Sequence, residues 1–421
     1  MKMRWRIALL ISVAIAISYL DRQTLPVAIK AIERDIPVSN QQFSLLQTAF
    51  LITYGLMYAG GGRLMDFLGT RRGFFVIMVF WSLACAGHAL AASFGMLAVC
   101  RLLLGAGEGG GFPAATRAVA EWFPVRERST AMGIINAGTA AGMIIAPPLI
   151  AFVISFVSWR WIFVLAAAAG LLWTFWWRRK YFPPEQHASL TDTERRQALA
   201  ENTSTATEET PIPWLQLFRF RETWGVVLAK FLTDAGWYFY LFWLPKYLYD
   251  ARGFDVKAVG TFAWIPPVAA GIGCLCGGAA SSWLLHRGSS VNRARKIVLG
   301  MSAFMMPFVL FVPAVPVTWA IALFSLAYFG HQWWSTLVMI LPTDLFPKNV
   351  VGAVAGLVGC AGAFGGVVFG QFVGYLLDHG FGWGVVFAVA GSFHVLGFIV
   401  LCLAIPTIRP VVKPQLELAL A

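Results

Sequence analysis

Asp21 and Arg22 stand side by side inside an apolar run that begins at Ile7 and resumes with Leu25. Each charge at mid-bilayer costs roughly 2.5–3.5 kcal/mol on insertion scales, a cost borne where the charges face a bundle interior or an aqueous cavity. A second acid and base, Arg101 and Glu108, interrupt a later apolar stretch. Seven residues are close to two helical turns, so these two share one helix face. Burial disfavours a carboxylate's charged form, and a nearby guanidinium favours it. An acid held between the two influences can load and release a proton near neutral pH. The planar fork of Arg22 suits a carboxylate anion bidentately. An anion on Arg22 would weaken its hold on Asp21, so anion and proton would favour each other's binding. The bland alternative is that Asp21, Arg22, Arg101 and Glu108 form ion pairs that only hold two helices together.

These residues need elements to position them, and the composition names the kind. The chain has 421 residues, 58% hydrophobic and only 12% charged, where a soluble domain carries about 25% charged residues. A spanning helix needs about 20 mostly apolar residues. Polar and charged breaks divide the chain into twelve candidate spans, near 7–29, 43–62, 73–92, 94–120, 129–155, 159–177, 223–249, 258–285, 297–316, 318–341, 350–377 and 383–405. The basic start followed by an apolar run is read as a retained first span, because no small-residue cleavage site follows it. The net charge of +12 lies in alternate loops: Lys2, Arg4 and Arg6; Arg63, Arg71 and Arg72; Arg126 and Arg128; Arg178, Arg179 and Lys180; Arg287, Arg293, Arg295 and Lys296. That is a topology signal, with both termini and the middle loop expected in the cytoplasm of a cell whose inner membrane the chain spans. It excludes nucleic acid as a partner. Six cysteines lie in apolar segments without CxxC spacing or a histidine cluster, so neither a metal nor a disulfide framework is expected.

The halves repeat. Glu121-Trp-Phe-Pro124 recurs as Asp344-Leu-Phe-Pro347, an offset of 223 that Gly133 and Gly356, and Gly142 and Gly365, also keep. The expected organisation is a six-helix bundle over 1–179, a polar cytoplasmic linker over 180–220, a second six-helix bundle over 221–408 and a cytoplasmic tail over 409–421. The fold class is an all-α membrane protein of twelve transmembrane helices in two pseudo-symmetric bundles, with a central cavity and a rocking motion of the halves. Glycine-rich faces let such helices approach and slide. Gly105, Gly107 and Gly110 formally spell GxGxxG, but an apolar helix precedes them where a nucleotide site needs a strand.

Gly62-Arg-Leu-Met-Asp66-Phe-Leu-Gly69-Thr-Arg71-Arg72 resembles motif A of the major facilitator superfamily, GxLaDrxGrr. The resemblance implies a conformational latch on the cytoplasmic side built from Gly62, Asp66, Gly69, Arg71 and Arg72. At the offset of 216 the second half carries Ser282 where the acid would stand, which suggests an asymmetric latch. Tyr19-Leu-Asp21-Arg22, Arg101 with Gly-Glu108-Gly and Phe112-Pro113, and Trp122-Phe-Pro with Arg128 resemble the anion:cation symporter family over nearly the whole chain. The resemblance implies that Asp21 and Glu108 are the protonatable acids, that Arg22 binds the substrate carboxylate and that Arg101 modulates the span-four acid. It also implies that Tyr19 and Tyr54 are polar contacts in the substrate cavity.

In the second half, Lys230-Phe-Leu-Thr-Asp234, Trp237-Tyr238 and Gly330-His331-Gln332-Trp333-Trp334 are similar to the hexuronate transporters of that family. His331 and Gln332 are candidates for lining the cavity, and Lys230 and Asp234 are either a structural ion pair or substrate contacts. Trp243 and Tyr247 are read as an interfacial belt. His88, His286, His379 and His394 are assigned no chemistry. The function implied is proton-coupled import of a sugar-acid anion, expected to be a hexuronate such as galacturonate or glucuronate, by alternating access. An aldonate such as galactonate or an aromatic carboxylate is the alternative substrate. A membrane enzyme and a transport-dead sensor are the alternatives from other classes. No cofactor is expected beyond protons as the coupling ion, and the chain is expected to act as a monomer.

Overall fold

The computed structural model describes residues 3–187, 190 and 214–411, apart from Pro124 and Pro347. Most of the expected linker and tail therefore lie outside the described residues, as do the surroundings of Gly62 and the side chain of Asp66. The first six rods are α1 (Met3–Ile32), α2 (Asn40–Gly61), α3 (Phe67–Leu90), α4 (Phe94–Glu108 continued by Gly111–Trp122), α5 (Val125–Phe156) and α6 (Arg160–Lys180). The other six are α7 (Arg221–Arg252), α8 (Val256–Phe262 with Ile265–His286), α9 (Val291–Met305 continued as a tighter helix over Met306–Ala314), α10 (Val317–Val338 with Leu341–Leu345), α11 (Lys348–Asp378) and α12 (Trp383–Ala404).

Nine of these rods, among the described residues, are long and apolar enough to cross a membrane. The three that fall short are α4, α7 and α10. They are the rods that carry Arg101 and Glu108, Lys230 and Asp234, and His331 and Gln332. Polar side chains and the break at Gly109 lower their apolar character, and packing inside a unit compensates for it.

The chain forms two compact units; Ser39–Thr48 packs with the second and Phe254–Trp264 with the first. In each unit the first helix lies against the fifth, α1 on α5 and α7 on α11. Of the repeated glycine pairs, Gly142 and Gly365 make that approach possible, whereas a side chain at Gly133 or Gly356 would meet nothing within 4 Å among the described residues. A side chain at Gly142 would meet the Ala16 carbonyl of α1, and one at Gly365 would meet the Phe231 carbonyl of α7. A sharp kink near the start of α3 is made at Gly69, whose φ of 72° suits glycine. Large apolar side chains such as Phe152, Phe156, Leu172, Leu275 and Leu403 are exposed on the outer faces, as helices in lipid require.

Trp243 and Tyr247 do not form an exposed belt: both are about as buried as a side chain can be, at 1% exposure. Trp243 packs edge-on against Phe43 and Trp383, and Tyr247 against Trp383 and Phe387. Hydropathy marks an aromatic cluster near a span end, but only helix rotation decides whether it faces lipid or core.

Candidate functional site

The first unit holds a buried charge centre between α1 and α4. Ser18 and Arg22 lie one turn apart on α1, the spacing that places two side chains on one face. Glu108 closes the first piece of α4, just before the chain loosens at Gly109 and Gly110. Close packing of α4 on α2 positions it: side chains at Gly105 and Gly109 would strike the Phe50 and Tyr54 carbonyls. Glu108 Oε2 accepts from Arg22 Nε at 2.6 Å and from Ser18 Oγ at 2.7 Å, all three groups being buried. Glu108 Oε1 is buried without a hydrogen-bond partner among the described residues. The Arg22 guanidinium lies over the rings of Tyr54 at 4.3 Å, Tyr19 at 4.5 Å and Phe50 at 5.4 Å. Aromatic faces stabilise a cation electrostatically, so the guanidinium is held by a carboxylate and an aromatic shelf together. Arg101 is fully buried, lies over Phe50 at 5.0 Å and is within electrostatic reach of Glu108 and Arg22.

Asp21, the next residue to Arg22, points elsewhere because successive helix positions are about 100° apart. It is 1% exposed, beside the Cys85 thiol and within electrostatic reach of Glu108 and Arg22. The Cys85 thiol is the one polar group beside its oxygens among the described residues, and no stronger donor reaches them. The sequence paired Arg22 with Asp21 by adjacency; the structure hydrogen-bonds Arg22 to Glu108 across helices. Sequence reasoning passed over Ser18 and Phe50. Ser18 was within reach by its i,i+4 spacing to Arg22, whereas Phe50 had no distinguishing signal.

The second unit holds a polar centre of different construction. Lys230 and Asp234, one turn apart on α7, form an ion pair at 3.0 Å, and Lys230 Nζ donates to Ser335 Oγ of α10 at 3.0 Å. His331 of α10 turns inward, with Nε2 3.8 Å from Asp234 Oδ1 and its ring stacked on Trp237 at 4.6 Å. Its Nδ1 lies 3.1 Å from Nε2 of His394 on α12. His394 has no chemistry legible in the sequence, because a lone histidine in an apolar helix offers no hint of a partner 63 residues away. Gln332, one position on from His331, is half-buried on a different face.

Around motif A, Arg71 donates to the Arg178 carbonyl at 2.7 Å and covers the Phe182 ring at 3.8 Å, while Arg72 is exposed. Glu121 of the repeated motif collects Thr70 Oγ1 at 2.5 Å, Arg117 Nε at 3.2 Å and Tyr181 Oη at 2.5 Å. Its counterpart Asp344 accepts from Arg295 Nε at 2.9 Å, and Arg295 also donates to Ser281 at 2.7 Å. Each unit thus anchors its acid differently. No group of three or more metal-binding side chains occurs among the described residues.

Residues 11–370 match the model of the Major Facilitator Superfamily. The chain is 33% identical to the hexuronate transporter of Escherichia coli (strain K12), over 99% of this chain and 96% of that protein. It is 33% identical to the galacturonate transporter of Dickeya chrysanthemi, over 72% of this chain and 89% of that one. Among solved structures, the inward open conformation of the xylose transporter XylE from E. coli superposes with a TM-score of 0.75 at 14% identity, covering 99% of each chain. That last likeness concerns the fold alone.

Proposed function

We propose that this chain, which belongs to the Major Facilitator Superfamily, imports a sugar-acid anion, a hexuronate such as galacturonate, together with protons. It is a multi-pass membrane transporter and not an enzyme. The reading locates it in the inner membrane with both termini in the cytoplasm, acting as a monomer without a cofactor.

The observation that carries the reading is the buried Arg22–Glu108 ion pair, set over two tyrosine rings and next to the buried Asp21. A carboxylate anion reaching Arg22 competes with the Glu108 carboxylate for the same guanidinium. Glu108, deprived of its counter-charge in a dry site, takes up a proton. Anion and proton therefore bind with mutual support, and each must leave for the other to leave easily. Arg101 adds positive potential to the centre, and Tyr19 and Tyr54 offer ring faces and hydroxyls to the sugar. Motif A and the acids Glu121 and Asp344 serve as latches within their units as access alternates between the two sides of the membrane. The two relatives named for hexuronate and galacturonate support the substrate class.

The test is uptake of labelled galacturonate into proteoliposomes with and without an inward proton gradient, with glucuronate, galactonate and an aromatic acid as competitors. Accumulation that needs the gradient and is competed by glucuronate is the expected result. Competition by galactonate or the aromatic acid alone would overturn the hexuronate assignment, and accumulation indifferent to the gradient would overturn proton coupling.

A further inference from the structure

Four titratable side chains from three helices form a connected chain inside the second unit: Lys230 and Asp234 of α7, His331 of α10 and His394 of α12. Among the described residues, the other packed elements add no charged side chain in contact with these four. From α11, Gly362 sits so close to the Asp234 carboxylate that a side chain there would strike it. From α9, Ser302 donates to the Gly330 carbonyl at 2.6 Å. Tyr328 of α10 packs edge-on against Trp237 and donates to the Tyr240 carbonyl at 3.0 Å. His331 and His394 are 1% and 0% exposed, while Lys230 and Asp234 are each 6% exposed. Ionisable groups buried at this depth in a membrane protein mark functional sites more often than structural ones.

The histidine geometry fixes how many protons the pair can hold. At 3.1 Å, one of the two facing nitrogens must donate and the other accept. Two neutral rings meet that condition and two imidazolium rings cannot, because both facing nitrogens would then carry hydrogen. The pair therefore takes one extra proton and shares it as a coupled unit. Two positions are open to it. His394 Nδ1 is buried without a hydrogen-bond partner among the described residues. His331 Nε2 faces Asp234 Oδ1, where a proton would set an imidazolium beside the carboxylate. The parallel Trp237 ring favours that cation further. With His331 charged, Asp234 has a second counter-ion and holds Lys230 less tightly.

From this we infer that His331, His394 and Asp234 form a proton-exchange site that carries one proton per transport cycle, separate from the acids of the first unit, with Lys230 as the ammonium it releases toward the substrate anion. This rests on the proton-coupled reading of the chain. Loading the proton frees a cation for the anion, and losing the anion returns Lys230 to Asp234 and expels the proton.

The experiment uses the full chain in liposomes and has two arms. Without substrate, infrared difference spectra between acid and alkaline pH are compared for wild type, His331→Gln and His394→Gln. The imidazole ring signals of the pair should disappear in both variants, since either substitution breaks the shared proton; signals unchanged by both substitutions overturn the proposal. In the second arm, labelled galacturonate accumulates against an imposed inside-negative potential at equal pH. His331→Gln should move one positive charge fewer per galacturonate. Its accumulation ratio should fall about tenfold at a potential that weights one elementary charge by a factor of ten. A purely structural role would slow uptake and leave the final ratio alone, and that outcome overturns the coupling. Absence of galacturonate uptake by wild type would strike the substrate assignment instead, while the infrared arm still decides whether the pair exchanges a proton. His394→Gln leaves α10 unaltered and serves both arms where His331→Gln does not fold.

Discussion

The charge centre of the first unit joins two helices through one rigid pair, whereas that of the second unit begins as a pair within one helix and spreads outward. Arg22 and Glu108 meet across α1 and α4 with a guanidinium held flat against aromatic rings. Lys230 and Asp234 meet one turn apart on α7, and contacts to Ser335 and His331 tie them to α10. A guanidinium keeps its charge under all physiological conditions and offers a fixed fork, while an ammonium is a mobile point charge. On the proposed reading, the first centre suits an anion held in one orientation. The second, on the inferred proton-exchange role, suits rearrangement, because its lysine already shares a carboxylate and a hydroxyl.

The largest expected effect separates these two designs. Arg22→Ala leaves Glu108 as a buried, unpaired carboxylate, a loss of about 3–5 kcal/mol, and should reduce galacturonate binding by more than about 100-fold. Lys230→Ala should cost about 10-fold, the scale of one charged hydrogen bond. Equal losses in isothermal binding measurements would break the distinction between anchor and mobile cation.

Next in size is the division of labour among the acids. Glu108→Gln should lose proton-driven accumulation and keep counterflow exchange of galacturonate, because the neutral side chain mimics the protonated state. Full pH-driven accumulation in that variant would remove Glu108 from the coupling. Asp21→Asn, which breaks no ion pair and leaves the Arg22–Glu108 contact intact, should retain binding better than Glu108→Ala does.

Smaller effects probe the equivalence of the scaffolds. Gly142→Val and Gly365→Val each drive a side chain into a backbone carbonyl of the first helix of their unit. Both should lower the thermal stability of the purified protein, by about 1–3 kcal/mol for overpacking. A loss from one and none from the other would mean that the two crossings differ.

The smallest effect belongs to an exposed pair outside both centres. Asp35 accepts from Arg160 at 2.5 Å and from the Trp159 indole at 3.0 Å, and these bonds hold its carboxyl below the usual range. Such a carboxyl contributes stability above its unfolded value of about 3.9 and loses it as pH falls through the folded value. Asp35→Asn should lower Tm slightly at neutral pH and leave it unchanged in strong acid, since solvent screens exposed pairs. A drop as large as those at the buried glycines would contradict this ranking.

How far these features were legible varied with their physical origin. The spans were legible because a bilayer sets a length and a composition that any helix crossing it must meet. The internal repeat was legible in part because Gly142 and Gly365 stand at close crossings, where a larger residue would move a helix. Arg22, Glu108, Arg101 and Asp21 stood out because charges are rare in apolar runs. Their pairing was not legible, since it depends on the rotation of α1 against α4, and adjacency in sequence suggested Asp21 where the fold supplied Glu108. Trp243 and Tyr247 were misread for the same reason.

The sequence by itself determined that this chain crosses a membrane many times, in two related halves, with ionisable groups inside its apolar segments. Those conclusions rest on local energetics, the cost of burying charge and polar backbone in hydrocarbon. The tertiary structure alone decided which charges face each other and that His394 meets His331 across 63 positions of chain. Side-chain partnerships between helices are set by tilt, rotation and close approach, and those are properties of the packed bundle that no single segment encodes.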